Sequence, residues 1–257
     1  MANIRIAVSF SESSLRAKAQ QLAQQLELPL IEHADESAAN HEYLLMLTSD
    51  YLCLQRTSDK KRSPFYIDFL SGKMQYRQKH AGLRKELIAR AIGASPRDNP
   101  AILDATAGLG RDSYILAALG FEVTLLERSP VLYAMLNDAI ERAQAHPGTA
   151  AIASRLHLIH ADALEWMRNK QFDIIYLDPM FPERQKSASI KKELALLQHL
   201  LGNDSDSEIL LNLAITCATC RVVVKRPRLA PSIAKHEPNF SLTGRSSRFD
   251  IYLTTKR

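Results

Sequence analysis

Beyond residue 100 the chain repeats one pattern: a short strand that is apolar almost throughout, then a stretch long enough for a helix. The strand runs are AILDA, FEVTLLE, LHLIHAD, FDIIYLD and RVVVKR. A strand with one wet face alternates apolar and polar residues, whereas a continuous apolar run is covered on both faces. The intervening stretches 111–119, 130–145, 163–169, 188–201 and 207–220 read as helices. Ser129 and Pro130 give the second of these an N-cap and a first helical residue. Such alternation predicts an α/β fold with a doubly wound parallel sheet, whose ligands sit at the carboxyl ends of its strands. The final run, RFDIYLTT, has no helix after it and is expected to return antiparallel at the sheet edge.

The first 80 residues have a different texture, with short apolar runs in IRIAVSF and EYLLMLTSDYLCLQR. FYIDFL and MQYRQ, separated by SGK, predict a hairpin turning at Ser71–Gly72. SSLRAKAQQLAQQLEL places Leu15, Ala19, Leu22 and Leu26 at helical spacing, and LRKELIARAIG predicts a helix ending at Gly93. The turn-rich segment ASPRDNP at 94–100 marks a boundary. We therefore expect a small α+β domain over 1–95 and the larger sheet domain over 96–257.

With 257 residues, 46% of them hydrophobic, the chain holds enough apolar surface for one full core and a smaller appendage. MANIRIAVSF has no run of signal-peptide length, and no stretch approaches the roughly 18–20 apolar residues of a membrane span. A soluble, cytoplasmic protein is expected. Cys53, Cys217 and Cys220 are odd in number, which argues against a disulfide framework. CATC at 217–220 has redox or zinc spacing but lies in an apolar helical stretch without a second ligand pair, so no metal is expected. The net charge of +5 is compatible with a polyanionic partner without requiring one.

In ILDATAGLGRDS, Gly108 and Gly110 let the chain turn sharply from strand to helix and approach a ligand. The third glycine of the dinucleotide fingerprint is missing, and Asp104 precedes the turn. An acid facing this loop repels a pyrophosphate and suits a cation. The second strand ends at Glu127, placed to accept from ribose hydroxyls, and the third at Asp162, in reach of an adenine amine. Any one of these acids is an ordinary helix cap. Together they point to S-adenosylmethionine, with its sulfonium and ammonium, as cofactor.

The fourth strand runs into YLDPMFP at the expected switch point. A carboxylate and a carbonyl that accept from an exocyclic base amine favour its pyramidal, nucleophilic form. Asp178 and the carbonyl of Pro179 supply such acceptors, and Phe181 supplies a ring to stack on the base, worth about 1–3 kcal/mol. The plain reading makes Asp178 a turn cap and Phe181 a filler. Cytosine C5 chemistry is disfavoured because no cysteine lies in this loop.

DATAGLGRD, LLER, YLDPMFP, KKE, VVVKRP and RFDIY, together with FYIDFLSGKMQYRQKHAGLRKELIARAIG upstream, resemble the ribosomal small-subunit RNA methyltransferase J family over roughly residues 65–254. The resemblance implies a Rossmann-like class I methyltransferase fold. It also implies methylation of N2 of one guanosine near the 3′ end of 16S rRNA, with 16S rRNA or the small ribosomal subunit as partner. The family's cofactor contacts fall on Arg111, Asp112, Glu127, Arg128, Asp162, Ala163 and Asp178. Asp162–Ala163 stands where some relatives carry Ser-Ser. Against the wider D/N-P-P-Y amine methyltransferases, Met180 replaces the second proline and Phe181 the tyrosine.

Basic residues cluster at Lys73, Arg77, Lys79, Arg84 and Lys85, again at Arg184, Lys186, Lys191 and Lys192, and finally at Lys225, Arg226, Arg228, Arg245 and Arg248. Lys186, Lys191, Lys192, Lys225 and Arg226 flank the expected acceptor site and are candidates for phosphate contacts while a base is extruded. Solvated helix faces are the plain alternative. Two other functions compete: methylation of DNA adenine, protein glutamine or a ribose hydroxyl (Asp178 acting with Lys225), and a non-catalytic RNA-binding assembly factor.

Overall fold

The structure, a computed structural model, describes residues 5–32, 40–58, 63–179, 206–233 and 237–254. The N-terminal runs form a three-stranded sheet. Strand β1 (Ile6–Phe10) pairs in parallel with β2 (Tyr43–Leu47), which pairs antiparallel with β3 (Leu52–Arg56). Between β1 and β2 lies helix α1 (Arg16–Gln25), which buries Ala19 and Ala23.

The hairpin expected at Ser71–Gly72 does not form. Gly72–His80 is helix α2 instead, with Ser71 at its N-cap position. In FYIDFL only Phe65 pairs, in an antiparallel bridge to Leu54 of β3, while Ile67 and Phe69 are buried directly in the core. Lys, Met, Gln and Arg in the second half are good helix formers, and without a partner strand helix propensity prevails. Helix α3 (Leu87–Ile92) ends at Gly93 as expected.

The second sheet has seven strands: β4 (Ile102–Asp104), β5 (Val123–Glu127), β6 (Leu156–His160), β7 (Phe172–Leu177), β8 (Ala218–Pro227), β9 (Phe240–Thr243) and β10 (Ser247–Leu253). Their order is β6-β5-β4-β7-β8-β10-β9, and the first five in that order are mutually parallel. The direction of winding reverses between β4 and β7, which opens a crevice at their carboxyl ends. Strand β10 is antiparallel to β8, as expected, but β9 pairs beyond it and forms the edge. NFSLT is too polar and exposed to show as a strand in sequence.

Helices α4 (Arg111–Ala118), α5 (Pro130–Ala145), α6 (Ala150–Ala153), α7 (Ala163–Trp166) and α8 (Ser207–Cys217) accompany the strands. Ser129 caps α5 by accepting from the Leu132 amide, with Pro130 following it. The helix expected over 207–220 stops at Cys217, and Ala218 begins β8. Cys217 is buried with its thiol on the Met167 carbonyl, while Cys220 is exposed. The helix expected at 188–201 lies outside the described residues.

Alternate residues of the apolar strands enter opposite faces. Ile102, Ile174, Tyr176 and Val223 join one cluster; Leu103, Ile175, Leu177, Val222 and Val224 join the other with Leu210, Leu211 and Ala214 of α8. The first cluster also contains Val8, Leu45 and Leu54 of the N-terminal sheet, so it runs across the expected boundary near residue 95. No helix among the described residues is long and apolar enough to cross a membrane.

Candidate active site

A cleft enclosing about 630 Å³, its solvent-open part included, lies at the carboxyl ends of β4 to β7. Ala105, Thr106 and Gly108 line it after β4, Leu126, Glu127 and Arg128 at the end of β5, and Ala161, Asp162, Ala163 and Leu164 after β6. Asp178 and Pro179 close it after β7, and Asp206, Ser207 and Leu210 of the α8 region form a further wall. Thus Gly108, Glu127, Arg128, Asp162, Ala163, Asp178 and Pro179 meet at one cleft.

Glu127 is 5% exposed and fixed by two backbone donors: Gly108 N–H at 3.0 Å and Ser129 N–H at 2.8 Å. Asp162 is the N-cap of α7 and accepts from the Leu164 amide at 2.7 Å. Arg128 forms an ion pair with Asp206 at 3.7 Å. The Asp178 amide donates to Thr106 Oγ1 at 2.6 Å, which ties the turn after β7 to the loop after β4. Thr106 carries no sequence signal, because its role depends on that long-range pairing.

Asp104, Gly110 and Asp112 stand elsewhere. Asp104 is 2% exposed and accepts from Ser113 Oγ at 2.5 Å and the Thr106 amide at 3.1 Å. Burial pushes its carboxyl up to about 7, against the pull of those two bonds. It braces the loop under α4 and is not among the residues that line the cleft. Gly108 and Gly110 both have positive φ, 55° and 65°. A Cβ on Gly110 would lie 2.7 Å from Leu136 Cδ1 and 3.2 Å from Phe69 Cζ, so its close approach is to the core. A Cβ on Gly108 would meet nothing nearer than the Thr106 carbonyl at 3.7 Å. Of the two, Gly108 is the glycine beside the cleft. Arg111, at the start of α4, is exposed.

Asp112 is the hub of a charged cluster. Its Oδ1 accepts from Arg77 Nη1 and Nη2, both at 3.1 Å, and its Oδ2 from Lys225 Nζ at 2.6 Å and Tyr176 Oη at 2.9 Å. Lys225 Nζ also donates to Asp178 Oδ2 at 2.7 Å. Arg77 further pairs with Glu86 at 3.0 Å. Burial works to raise the Asp112 pKa, but Lys225 and Arg77 hold it well below the usual carboxylate range. Burial likewise works against the Lys225 ammonium, and Asp178 with Asp112 more than offsets it, so that pKa is raised. Two of the three N–H donors of Lys225 are directed at carboxylates. Arg226 is 5% exposed and donates to the Pro231 carbonyl, so it is turned into the protein and away from any phosphate. Phe181, Lys186, Lys191 and Lys192 lie outside the described residues.

The sequence presents Arg77 only within a basic cluster and Tyr176 only as part of the fourth strand run. Tyr176 is legible in retrospect: two residues before Asp178 on a strand, it shares that residue's face. The pairing of Arg77 with Asp112 leaves no trace in spacing.

The cleft wall sets Glu127, Asp162, Asp178 and Asp206 against one guanidinium, Arg128. These carboxylate acceptors suit a ligand with hydroxyls and a cationic centre, and repel a pyrophosphate. Among the described residues no group of three or more His, Cys, Asp or Glu is placed to hold a metal ion. The sheet order, the acid ending the second strand and the Asp-Pro turn ending the fourth define a class I S-adenosylmethionine-dependent methyltransferase.

Residues 21–254 match a family described as putative SAM-dependent methyltransferase. Ribosomal RNA small subunit methyltransferase J of Thioalkalivibrio sulfidiphilus is 42% identical over 99% of this chain and 100% of its own length. The protein of the same name from Stutzerimonas stutzeri is 44% identical over 93% and 92%. A crystal structure of a SAM-dependent methyltransferase from Neisseria gonorrhoeae superposes with a TM-score of 0.73, at 33% identity, over 98% of this chain and 97% of that one. The chain belongs to the ribosomal RNA small subunit methyltransferase J family.

Proposed function

We propose that the protein methylates the exocyclic N2 amine of a specific guanosine near the 3′ end of 16S rRNA, in the cytoplasm. The observation that carries this reading is Asp178. It stands at the switch point, its amide is held by Thr106 and its carboxylate by Lys225, and it lines the acid-walled cleft. Glu127, Asp162, Ala163 and Gly108 form the wall suited to the ribose and adenine of S-adenosylmethionine. Bound there, the cofactor supplies an electrophilic methyl group on a sulfonium.

The chain's residues act on the acceptor. Asp178 Oδ1 accepts one N–H of the base amine and the Pro179 carbonyl the other, which turns the nitrogen lone pair out of conjugation. Asp178 then receives the proton released from the amine. Phe181 stacks on the base. Lys186, Lys191 and Lys192 hold RNA phosphates, so neutralising Lys191 and Lys192 together flattens the salt dependence of binding. The raised pKa of Lys225 keeps it protonated, which counts against its use as a base on a ribose hydroxyl.

The test supplies tritiated-methyl cofactor with small subunits that lack the modification, naked rRNA and DNA, and maps the labelled nucleotide. Label on a guanine N2 of the small-subunit RNA is expected, and its loss in Asp178→Ala. Label confined to DNA or protein refutes the reading.

A further inference from the structure

We propose that Lys225 and Asp112 are positioning residues for Asp178, and that their clamp fits the acceptor site to a base edge with two adjacent donors, N1–H and N2–H of guanine. This deepens the reading above and rests on it. Four elements bring the cluster together: Arg77 from α2, Asp112 from α4, Tyr176 from β7 and Lys225 from β8. A carboxylate offers about four lone-pair positions, and Asp112 spends them on two guanidinium N–H groups, an ammonium and a phenol. Its side chain is therefore committed to the protein. The family resemblance assigned Asp112 to the cofactor, whereas the geometry assigns its carboxylate to holding Lys225.

Lys225 in turn stands between two acids, 2.6 Å from Asp112 and 2.7 Å from Asp178. Without the ammonium, two carboxylates at that spacing repel, and one takes up a proton. The consequence for recognition is direct. An ionised carboxylate only accepts, so its two oxygens match two neighbouring donors. A protonated one donates through one oxygen and matches a donor beside an acceptor. Guanine presents N1–H next to the N2 amine. Adenine, and 2-aminopurine at its N1, present an acceptor beside the amine. The ammonium thus decides which edge fits Asp178, and Tyr176 and Arg77 fix the ammonium's other partner.

The experiment compares guanosine and 2-aminopurine riboside at the target position of an otherwise identical RNA. Both carry the 2-amine; only guanosine carries N1–H. The unaltered protein should favour guanosine by about 10-fold or more in kcat/KM. Lys225→Met should lower kcat by about 100-fold, leave the cofactor Kd within about threefold and narrow the preference for guanosine. Its kcat should also depend on pH across the ordinary carboxylate range, and Lys225→Arg should restore part of both activity and preference. Asp112→Asn and the near-isosteric Tyr176→Phe carry the same measurements if Lys225→Met does not fold. Equal rates on the two bases by the unaltered protein, or an undiminished preference in all three Lys225, Asp112 and Tyr176 variants, overturn the inference while leaving guanine methylation intact. A weakened cofactor Kd with unchanged kcat in Asp112→Asn overturns it too. No transfer to guanosine by the unaltered protein sinks the underlying reading and the inference together.

Discussion

Gly110 and Asp104 both belong to the motif that pointed to a cofactor, and both serve the fold beneath it. At Gly110 a methyl group meets Leu136 and Phe69 and a left-handed φ of 65°. Gly110→Ala should cost about 2–4 kcal/mol, strain and overpacking together. Gly108→Ala, with open space around it, should cost about 1–2 kcal/mol from its φ alone. Urea midpoints test the ranking, and equal losses refute it. Asp104 gives a pH signature. Its folded pKa of about 7 lies above the ordinary 3.8, so between these values the folded chain keeps a proton that the unfolded chain has lost. That stability is complete below about pH 4 and is lost as pH rises through 7. Asp104→Asn removes the titration. Its melting temperature should gain on that of the unaltered protein between pH 5 and pH 8, and a constant gap refutes the assignment.

The elements that the sequence made legible are those whose signal is local. Helix α5 begins at Pro130 behind its Ser129 cap, and five parallel strands lie where apolar runs demanded burial on both faces. Where the signal was ambiguous, tertiary packing decided. FYIDFL–SGK–MQYRQ had strand composition in one half, yet that half meets the edge of β3 only through the Phe65–Leu54 bridge, and the second half became α2. The polar strand β9 exists because β10 offers it an edge. A comparable long-range link is Asp173, whose carboxylate accepts from the Ala101 amide at 2.8 Å and Thr219 Oγ1 at 2.9 Å, joining the starts of β4, β7 and β8. Asp173→Ala should destabilise by about 1–3 kcal/mol, read from denaturant midpoints. A change within about 0.5 kcal/mol would show that the strands hold their alignment without it.

At the scale of the molecule, one apolar cluster joins the N-terminal sheet to the seven-stranded one. We retain a chain boundary near residue 95 as a proposal about organisation; the shared cluster bears on cooperativity. Leu45, fully buried in β2, should when changed to Ala cost about 2–5 kcal/mol and lower a single melting transition seen alike by far-ultraviolet circular dichroism and tryptophan fluorescence. The tryptophan, Trp166, sits in α7 of the larger sheet, far along the chain from the substitution. Two separate transitions would show that the parts unfold independently.

The sequence alone determined the α/β class, the strand ends that carry Glu127, Asp162 and Asp178, and the acidic character of the cleft. It could do so because burial on both faces and the strand-to-loop junction are written in consecutive residues. Only the tertiary structure decided that Asp104 and Gly110 face the core, that Arg226 is turned inward, and that Arg77, Asp112, Tyr176 and Lys225 form one cluster behind Asp178. The Arg77–Asp112 pair is separated by 35 residues and the Asp112–Lys225 pair by 113. Electrostatic partners at such separations are chosen by which faces the sheet and helices bring together, and no local pattern records that choice.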